Sequence, residues 1–340
     1  MTTPASGSES DAPTDPPAGD APGPRPGAGI FTIEGRSAPA LFVIGWLATL
    51  LGLGIIAAAI LSRAGLASSV LLIVGLALLS VGLVAASGAQ GIERRARGMA
   101  SYSGPSPFLV FGASIPVSIL VLIVIALPLG ALGVPLDGPP GSLLSVVVQA
   151  VVYVALIRLL VVDTGALDWR AMGVRRLDLR ALGEIGGGAL WALPVIVATI
   201  PVSAILLAIF PVTPESPLPA TGEPVGFALS LIAGAVVAPL GEEVLFRAFA
   251  TTAWVRGMGV RGGLVRAALV FAIAHILTIS GSSAGDAIGL AVVGFATRLP
   301  IALALGVLFV RRGTIWSSFG LHAAFNGILL VVAEVASRTI

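Results

Sequence analysis

Long runs of apolar residues alternate with short polar segments between residues 41 and 336. A helix rises 1.5 Å per residue, so about 20 apolar residues cross the hydrocarbon core of a bilayer. The eighth run is the least regular, because Arg298 and Pro300 lie near its centre. The predicted fold class is all-α, a polytopic transmembrane helical bundle of about eight or nine spans. The nine candidate spans are approximately 41–62, 66–87, 108–133, 143–162, 185–210, 225–246, 264–281, 287–310 and 314–336.

Two segments outside these runs have a different character. Residues 1–35 begin with a stretch rich in Pro, Gly, Ala, Ser and Asp, which cannot bury enough surface to fold, so we expect a disordered cytoplasmic tail. Residues 163–184 mix Leu, Trp and Met with arginines. This mixture predicts an amphipathic helix at the cytoplasmic interface, with a basic loop as the alternative. The rest divides into N-terminal transmembrane helices at 36–162 and a C-terminal transmembrane core at 185–340.

The amino-acid composition is typical of a membrane-embedded chain. Of its 340 residues, 56% are hydrophobic and 11% are charged, whereas a soluble domain has about 25% charged residues. The absence of cysteine excludes disulfides, iron–sulfur clusters and Cys-ligated zinc. The net charge of +2 does not indicate nucleic-acid binding, because the arginines lie in short loops between apolar runs. The lipid bilayer is therefore the expected partner.

The arginines also orient the chain. Every second loop is rich in arginine, and the loops between them are nearly free of it. Because basic loops stay in the cytoplasm, the amino terminus is predicted to be cytoplasmic and the carboxyl terminus external. We expect an integral protein of a bacterial plasma membrane. The arginines concerned are Arg94, Arg95, Arg97, Arg170, Arg175, Arg176, Arg180, Arg256, Arg261, Arg311 and Arg312.

A small set of polar residues lies within the C-terminal spans. Ionisable groups in a bilayer are costly and mark functional sites by default, provided that they face the bundle interior. The chain has two histidines, and both fall in this set. The set comprises Glu242, Glu243 and Arg247 in or just beyond span six, His275 in span seven, and His322 and Asn326 in span nine.

These groups share one depth in the membrane. His275 lies nine residues after Arg266, and His322 lies ten residues after Arg312. Both rings are therefore roughly 15 Å from the cytoplasmic end of their spans. Glu242 is roughly 20 Å from the cytoplasmic end of span six. Three helices thus bring polar groups to one level, as a shared site requires.

Helical spacing separates the two glutamates. Glu243 and Arg247 are four residues apart, so their side chains can pair on one face. Glu242 points about 100° away and stays outside that pair, which makes it the better candidate for chemistry. His322 and Asn326 are also four residues apart and form one polar face of span nine.

A carboxylate, two imidazoles and an amide at one depth can hydrolyse an amide bond. The carboxylate with one histidine can activate water, directly or through a metal ion. The second histidine and the amide can bind the oxyanion of a tetrahedral intermediate. One alternative is a polar network that only holds helices together. The rival class is a non-catalytic membrane protein, either a transporter or an immunity or scaffold protein.

Three motifs resemble those of the CPBP family, which comprises the type II CAAX prenyl endopeptidases, bacteriocin-processing enzymes and abortive-infection-like proteins. GEEVLFR resembles the EExxxR motif, FAIAH resembles FxxxH, and HAAFN resembles HxxxN. They occur in family order over residues 241–327, about a quarter of the chain. Each motif alone is weak, whereas the ordered set is specific.

The resemblance implies an intramembrane peptidase with an all-helical core. By position, it implies that Glu242 and His275 activate the water, and that His322 and Asn326 stabilise the oxyanion. The remaining motif positions would support the site, namely Glu243, Arg247 and Phe271. The resemblance implies a peptide or membrane-protein substrate, whose identity stays open, and the depth of the polar groups predicts cleavage near the cytoplasmic side.

The resemblance leaves the cofactor open. The family is often labelled metalloprotease, and a metal-free glutamate mechanism has also been argued for it. Glu242, His275 and His322 could ligate a divalent metal such as zinc, but their spacing matches no known zinc signature. The HExxH motif of zincin-like membrane proteases is absent.

Overall fold

A computed structural model describes residues 36–99, 101–214 and 220–339. The tail predicted at 1–35 lies outside these residues. The described chain folds into α-helices and π-helices without strands, which confirms the all-α class. The α-helices are α1 (Pro39–Leu61), α2 (Leu66–Ala96), α3 (Pro107–Ala131), α4 (Pro139–Ile157), α5 (Leu179–Ala189), α6 (Ala192–Ile209), α7 (Pro224–Leu231), α8 (Ala238–Glu242), α9 (Thr252–Ala274), α10 (Ala284–Arg312) and α11 (Ile315–Thr339). The π-helices are π1 (Arg158–Val162), π2 (Ile232–Val237) and π3 (Glu243–Thr251).

Eight helical runs of the described chain are long and apolar enough to cross a bilayer. This confirms a polytopic bundle. One run, Pro224–Ala274, is 51 residues long and joins the predicted spans six and seven. Gly259 interrupts it with φ 80° and ψ 170°, a conformation that glycine adopts without strain. The chain then turns back, since a Cβ on Gly263 would lie 2.7 Å from the backbone nitrogen of Val255. The run is therefore a helical hairpin, which reconciles nine predicted spans with eight runs.

Two other spans differ from the sequence prediction. α9 ends at Ala274, so His275 lies at the end of its helix and not inside a span that reaches residue 281. α10 continues through Pro300, although Arg298 and Pro300 predict an irregular span. Arg298 Nη1 donates to the carbonyl of Gly294, 2.9 Å away, one turn earlier in the same helix.

The connector at 163–178 is irregular, and the amphipathic helix expected over 163–184 begins only at Leu179. Asp178 caps this helix by accepting a hydrogen bond from the Ala181 amide at 2.9 Å. Met172 is fully buried, and the Ile315 amide donates to the Gly173 carbonyl at 3.1 Å. The connector is thus held against the α10–α11 turn.

The arginine-rich segments lie together at one end of the bundle. Arg94 donates to the Gly104 carbonyl at 2.9 Å, and Gly104 packs against Ala166 of the connector. The connector in turn shares a groove with Arg256 of α9 and with Gly313 of the α10–α11 turn. Segments that the sequence assigned to one side of the membrane therefore share one end of the fold.

The helices that carry the polar groups enclose the core of the bundle. Phe246, Phe249 and Phe271 are almost fully buried there, among residues of α4, α10 and α11. α5 braces α11 through two glycines, because a methyl group on Gly188 or Gly320 would overlap a backbone carbonyl of the other helix. This close packing positions α11, which carries the second histidine.

Candidate active site

The two glutamates lie where α8 passes into π3. Glu242 ends α8 and Glu243 begins π3, so the helical register changes between them. A π-helix inside an α-helix is frequent at functional sites. Gly241 lets this point approach α4, since a Cβ there would lie 2.8 Å from the Cβ of Ala150. The Thr251 hydroxyl donates to the Phe246 carbonyl five residues earlier, at 2.7 Å, and so follows the π register.

Glu243 is fully buried between a cation and an imidazole. Its Oε1 lies 3.5 Å from Arg247 Nη1 and 2.9 Å from His322 Nδ1. Arg247 is 2% exposed, so the two opposite charges are buried together. The geometry contains the pair predicted from the spacing, and it adds a bond to His322 that the spacing did not indicate.

Hydrogen bonds fix the tautomer of both histidines. A carboxylate and a carbonyl accept but cannot donate, so His322 Nδ1 donates to Glu243 and His275 Nδ1 donates to the Phe271 carbonyl at 2.8 Å. In the neutral rings, each Nε2 is then left with an unshared electron pair. Both Nε2 atoms can therefore accept a proton or a hydrogen bond.

Glu242 faces both of these nitrogens. Its Oε2 lies 3.6 Å from His275 Nε2 and 3.7 Å from His322 Nε2, and its side chain is 16% exposed. These separations are too long for direct hydrogen bonds. Glu242 Oε2 is buried and has no hydrogen-bond partner among the described residues. The partly accessible Glu242 carboxylate thus lies close to two imidazole nitrogens, one from His275 and one from His322.

Phe271 forms the apolar centre of this arrangement. The guanidinium carbon of Arg247 lies 4.2 Å from the centroid of its ring, within the range of a cation–π contact. The rings of His275 and His322 pack against the same ring, with centroid distances of 4.4 and 5.7 Å. Phe271 therefore holds the cation and both imidazoles in place.

Asn326 is anchored to the backbone of π2. Its Nδ2 donates to the Gly234 carbonyl in π2 at 2.9 Å, and the residue is half-buried. One amide hydrogen is committed to this bond and a second remains. Asn326 therefore ties α11 to π2, one helical turn beyond His322.

Two residues outside the three motifs lie within electrostatic range of Glu242. Tyr153 of α4 is 5% exposed, and the charge of Glu242 acts on it. Arg298 of α10 interacts electrostatically with both Glu242 and His275. Arg298 stands out in the sequence as a charge in mid-span. Tyr153 is one of two tyrosines in the chain, but no sequence pattern links it to the motifs.

The geometry gives no support to a metal centre. In the part of the chain that the structure describes, no group of three or more His, Asp or Glu side chains is arranged to hold a metal ion. The set Glu242, His275 and His322, considered as zinc ligands from the sequence, does not meet this requirement. The metalloprotease description is therefore not supported.

The motif region matches a known family. Residues 224–328 match the model of the Rce1-like family, described as type II CAAX prenyl endopeptidase Rce1-like. This match contains all three motifs and confirms the resemblance predicted from them. No curated protein and no solved structure matches the chain. Together with the eight apolar runs, the match supports an integral membrane protein.

Proposed function

We propose that the protein is an intramembrane endopeptidase that hydrolyses a peptide bond with a water activated by Glu242 and His275. The observation that carries this proposal is the meeting of Glu242 Oε2 with two imidazole Nε2 atoms, 3.6 and 3.7 Å away. The match of residues 224–328 to a family of endopeptidases supports the reaction class. The substrate is a peptide or a membrane protein that reaches the site from the bilayer.

Glu242 Oε2 and His275 Nε2 are two acceptors that suit the two hydrogens of a water molecule. In the proposed reaction, water donates to Glu242 and to His275 while its oxygen attacks the carbonyl carbon of the scissile bond. Glu242 takes the proton and passes it to the leaving amide nitrogen, so that a carboxylic acid and an amine are released. A general base of this kind contributes about 10²- to 10⁴-fold to the rate.

His322 and Asn326 are the proposed oxyanion donors. His322 Nε2 is proposed to donate to the oxyanion in the protonated form of the ring, in which Nδ1 keeps its hydrogen bond to Glu243. Asn326 keeps one amide hydrogen beyond its bond to Gly234. Glu243, Arg247 and Phe271 support these groups through the contacts described above.

The cleavage is proposed to occur near the cytoplasmic side, with the amino terminus in the cytoplasm. The arginine-rich segments share one end of the bundle, and basic segments remain cytoplasmic during insertion. The glutamates lie in the same continuous helical run as Arg256, which follows Glu243 by 13 residues. Arg256 lines the arginine-rich groove, so this part of the run extends from the glutamates to the arginine-rich end of the bundle.

The test is cleavage of a defined library of apolar peptides by the purified protein. Wild type should cleave a subset, while Glu242→Gln and His275→Ala should lose at least about 100-fold in rate. Glu223→Gln changes an exposed glutamate outside the site and should remain active. If wild type and both site variants behave alike, the enzyme proposal fails and a transporter, immunity or scaffold role takes its place.

A chelator tests the metal alternative in the same assay. Because no three-ligand group is present among the described residues, we expect cleavage to survive the chelator. Loss of cleavage that added zinc restores would contradict this expectation.

A further inference from the structure

A groove lined by arginines lies where the connector meets α9 and the α10–α11 turn. It has a volume of about 380 Å³, and three of its lining residues are Arg170, Arg175 and Arg256. A second cavity of about 570 Å³ is lined by Arg170, Arg175 and the neighbouring Arg176. Because the two cavities share two arginines, they form one basic surface.

These arginines have no carboxylate partner among the described residues. The nearby acids are engaged elsewhere: Asp168 accepts from the Ala171 amide at 2.7 Å, and Glu184 accepts from Ser317 and lies 4.0 Å from Arg312. Like charges gathered in one groove repel one another. A bound anion would remove this repulsion.

The groove is built on a fixed backbone. Trp316 Nε1 donates to the Arg175 carbonyl at 3.0 Å, and the Ile315 amide donates to Gly173 at 3.1 Å. Met172, between the two basic positions, is fully buried. These contacts fix the backbone of the connector and therefore the positions from which its arginine side chains extend.

One wall of the groove is apolar. It consists of Val255, Phe309 and Val310, on the two helices that border the basic residues. A small hydrated anion gains no favourable contact from an apolar wall. A phospholipid does, because it carries a charged phosphate joined to apolar chains. Arginine binds phosphate through its planar, multiply donating guanidinium.

We propose that this groove binds the phosphate group of an anionic phospholipid, with the start of an acyl chain against the apolar wall. Basic pockets between transmembrane helices at the cytoplasmic end recognise such head groups. The site is separate from the glutamate–histidine centre, so the inference does not depend on the proposed function.

Binding can be measured on the full chain in detergent. The probes are phosphatidylglycerol, phosphatidylcholine and inorganic phosphate, and the readouts are bound lipid by native mass spectrometry and the shift of the thermal unfolding midpoint. The groove variant is Arg170→Gln/Arg175→Gln. The matched control, Arg95→Gln/Arg97→Gln, removes the same charge from exposed positions outside the groove.

We expect phosphatidylglycerol to bind wild type and control alike, and phosphatidylcholine to bind weakly. The groove variant should bind phosphatidylglycerol about thirtyfold more weakly, since each basic residue contributes about fivefold near an anionic head group. An unchanged unfolding midpoint without lipid verifies that the variant is folded. Equal losses in the groove and control variants would overturn the proposal. Stabilisation by inorganic phosphate equal to that by the lipid would overturn the lipid as its source.

Discussion

Adjacent residues of identical chemistry have different environments in this protein. Glu243 is fully buried and contacts both Arg247 and His322. Glu242 is partly accessible, and its Oε2 has no hydrogen-bond partner among the described residues. A buried charge with its partner stabilises the fold only as a pair, whereas an unpartnered carboxylate beside two imidazoles is free to take a proton.

This difference predicts opposite effects of the same substitution. Glu243→Gln leaves the Arg247 charge buried without its carboxylate, so it should lower the free energy of unfolding by about 3–5 kcal/mol. Glu242→Gln should abolish cleavage without loss of stability. Thermal unfolding in detergent, together with the peptide assay, separates the two effects.

A double variant serves as the control for this prediction. Glu243→Gln/Arg247→Met removes both buried charges and should recover part of the stability that Glu243→Gln loses. If Glu242→Gln unfolds as early as Glu243→Gln, the assignment of separate roles to the two glutamates is wrong.

Arg298 provides a second prediction at the residue scale. Its positive charge acts on Glu242 and His275, while its guanidinium donates a hydrogen bond to the Gly294 carbonyl of its own helix. Arg298→Met removes this charge and should lower kcat/KM by about tenfold, equivalent to about 1.4 kcal/mol of transition-state stabilisation. Arg311→Gln, which changes an exposed arginine at the end of the same helix, should leave kcat/KM unchanged. Equal kcat/KM values for the two variants would show that the charge of Arg298 does not contribute to transition-state stabilisation.

Spacing along one helix could be predicted from the sequence, but contacts between helices could not. The Glu243–Arg247 pair follows from an interval of four residues. The Glu243–His322 bond joins positions 79 residues apart, and the Asn326–Gly234 bond joins positions 92 apart. Hydropathy gives the depth of such groups in a membrane, but the direction in which each side chain points depends on helix packing.

At the scale of helices, apolar runs located the spans because a membrane-spanning helix must satisfy its backbone internally. The ends of the helices were less predictable. His275 lies at the end of α9 because the chain turns after Ala274, although apolar residues continue beyond it. The connector at 163–178 forms turns with buried anchors at Leu167 and Met172, and a helix begins only at Leu179.

The packing of α5 on α11 provides a prediction at the same scale. Gly188 touches the α11 backbone at Ser317, whereas a methyl group on its neighbour Gly187 would have nothing within 4 Å. Gly188→Ala should push α11 outward, lower the free energy of unfolding by about 1–3 kcal/mol and reduce cleavage, because α11 carries His322. Gly187→Ala should instead stabilise the helix by about 0.5–1 kcal/mol. Thermal unfolding of both variants provides the comparison, and equal midpoints would show that the helices can separate without cost.

At the scale of the whole molecule, the distribution of arginine and the fold agree. Arginine-rich segments that are far apart in the sequence meet at one end of the bundle. At the other end of α11, Glu334 accepts a hydrogen bond from the Thr221 amide at 2.8 Å, which ties the α6–α7 loop to the C-terminal helix. The two ends of the bundle are thus chemically distinct, as a fixed orientation in the membrane requires.

The orientation can be measured without altering a native thiol, because the chain contains no cysteine. Ser101→Cys places a single exposed thiol in the arginine-rich α2–α3 loop, and Asp137→Cys places one in the loop after α3. Basic loops remain in the cytoplasm, so a membrane-impermeant maleimide should label Asp137→Cys on intact bacterial cells. Ser101→Cys should be labelled only after the membrane is permeabilised. Labelling of Ser101→Cys on intact cells, with Asp137→Cys protected, would place the amino terminus outside and the glutamate–histidine site nearer the external face.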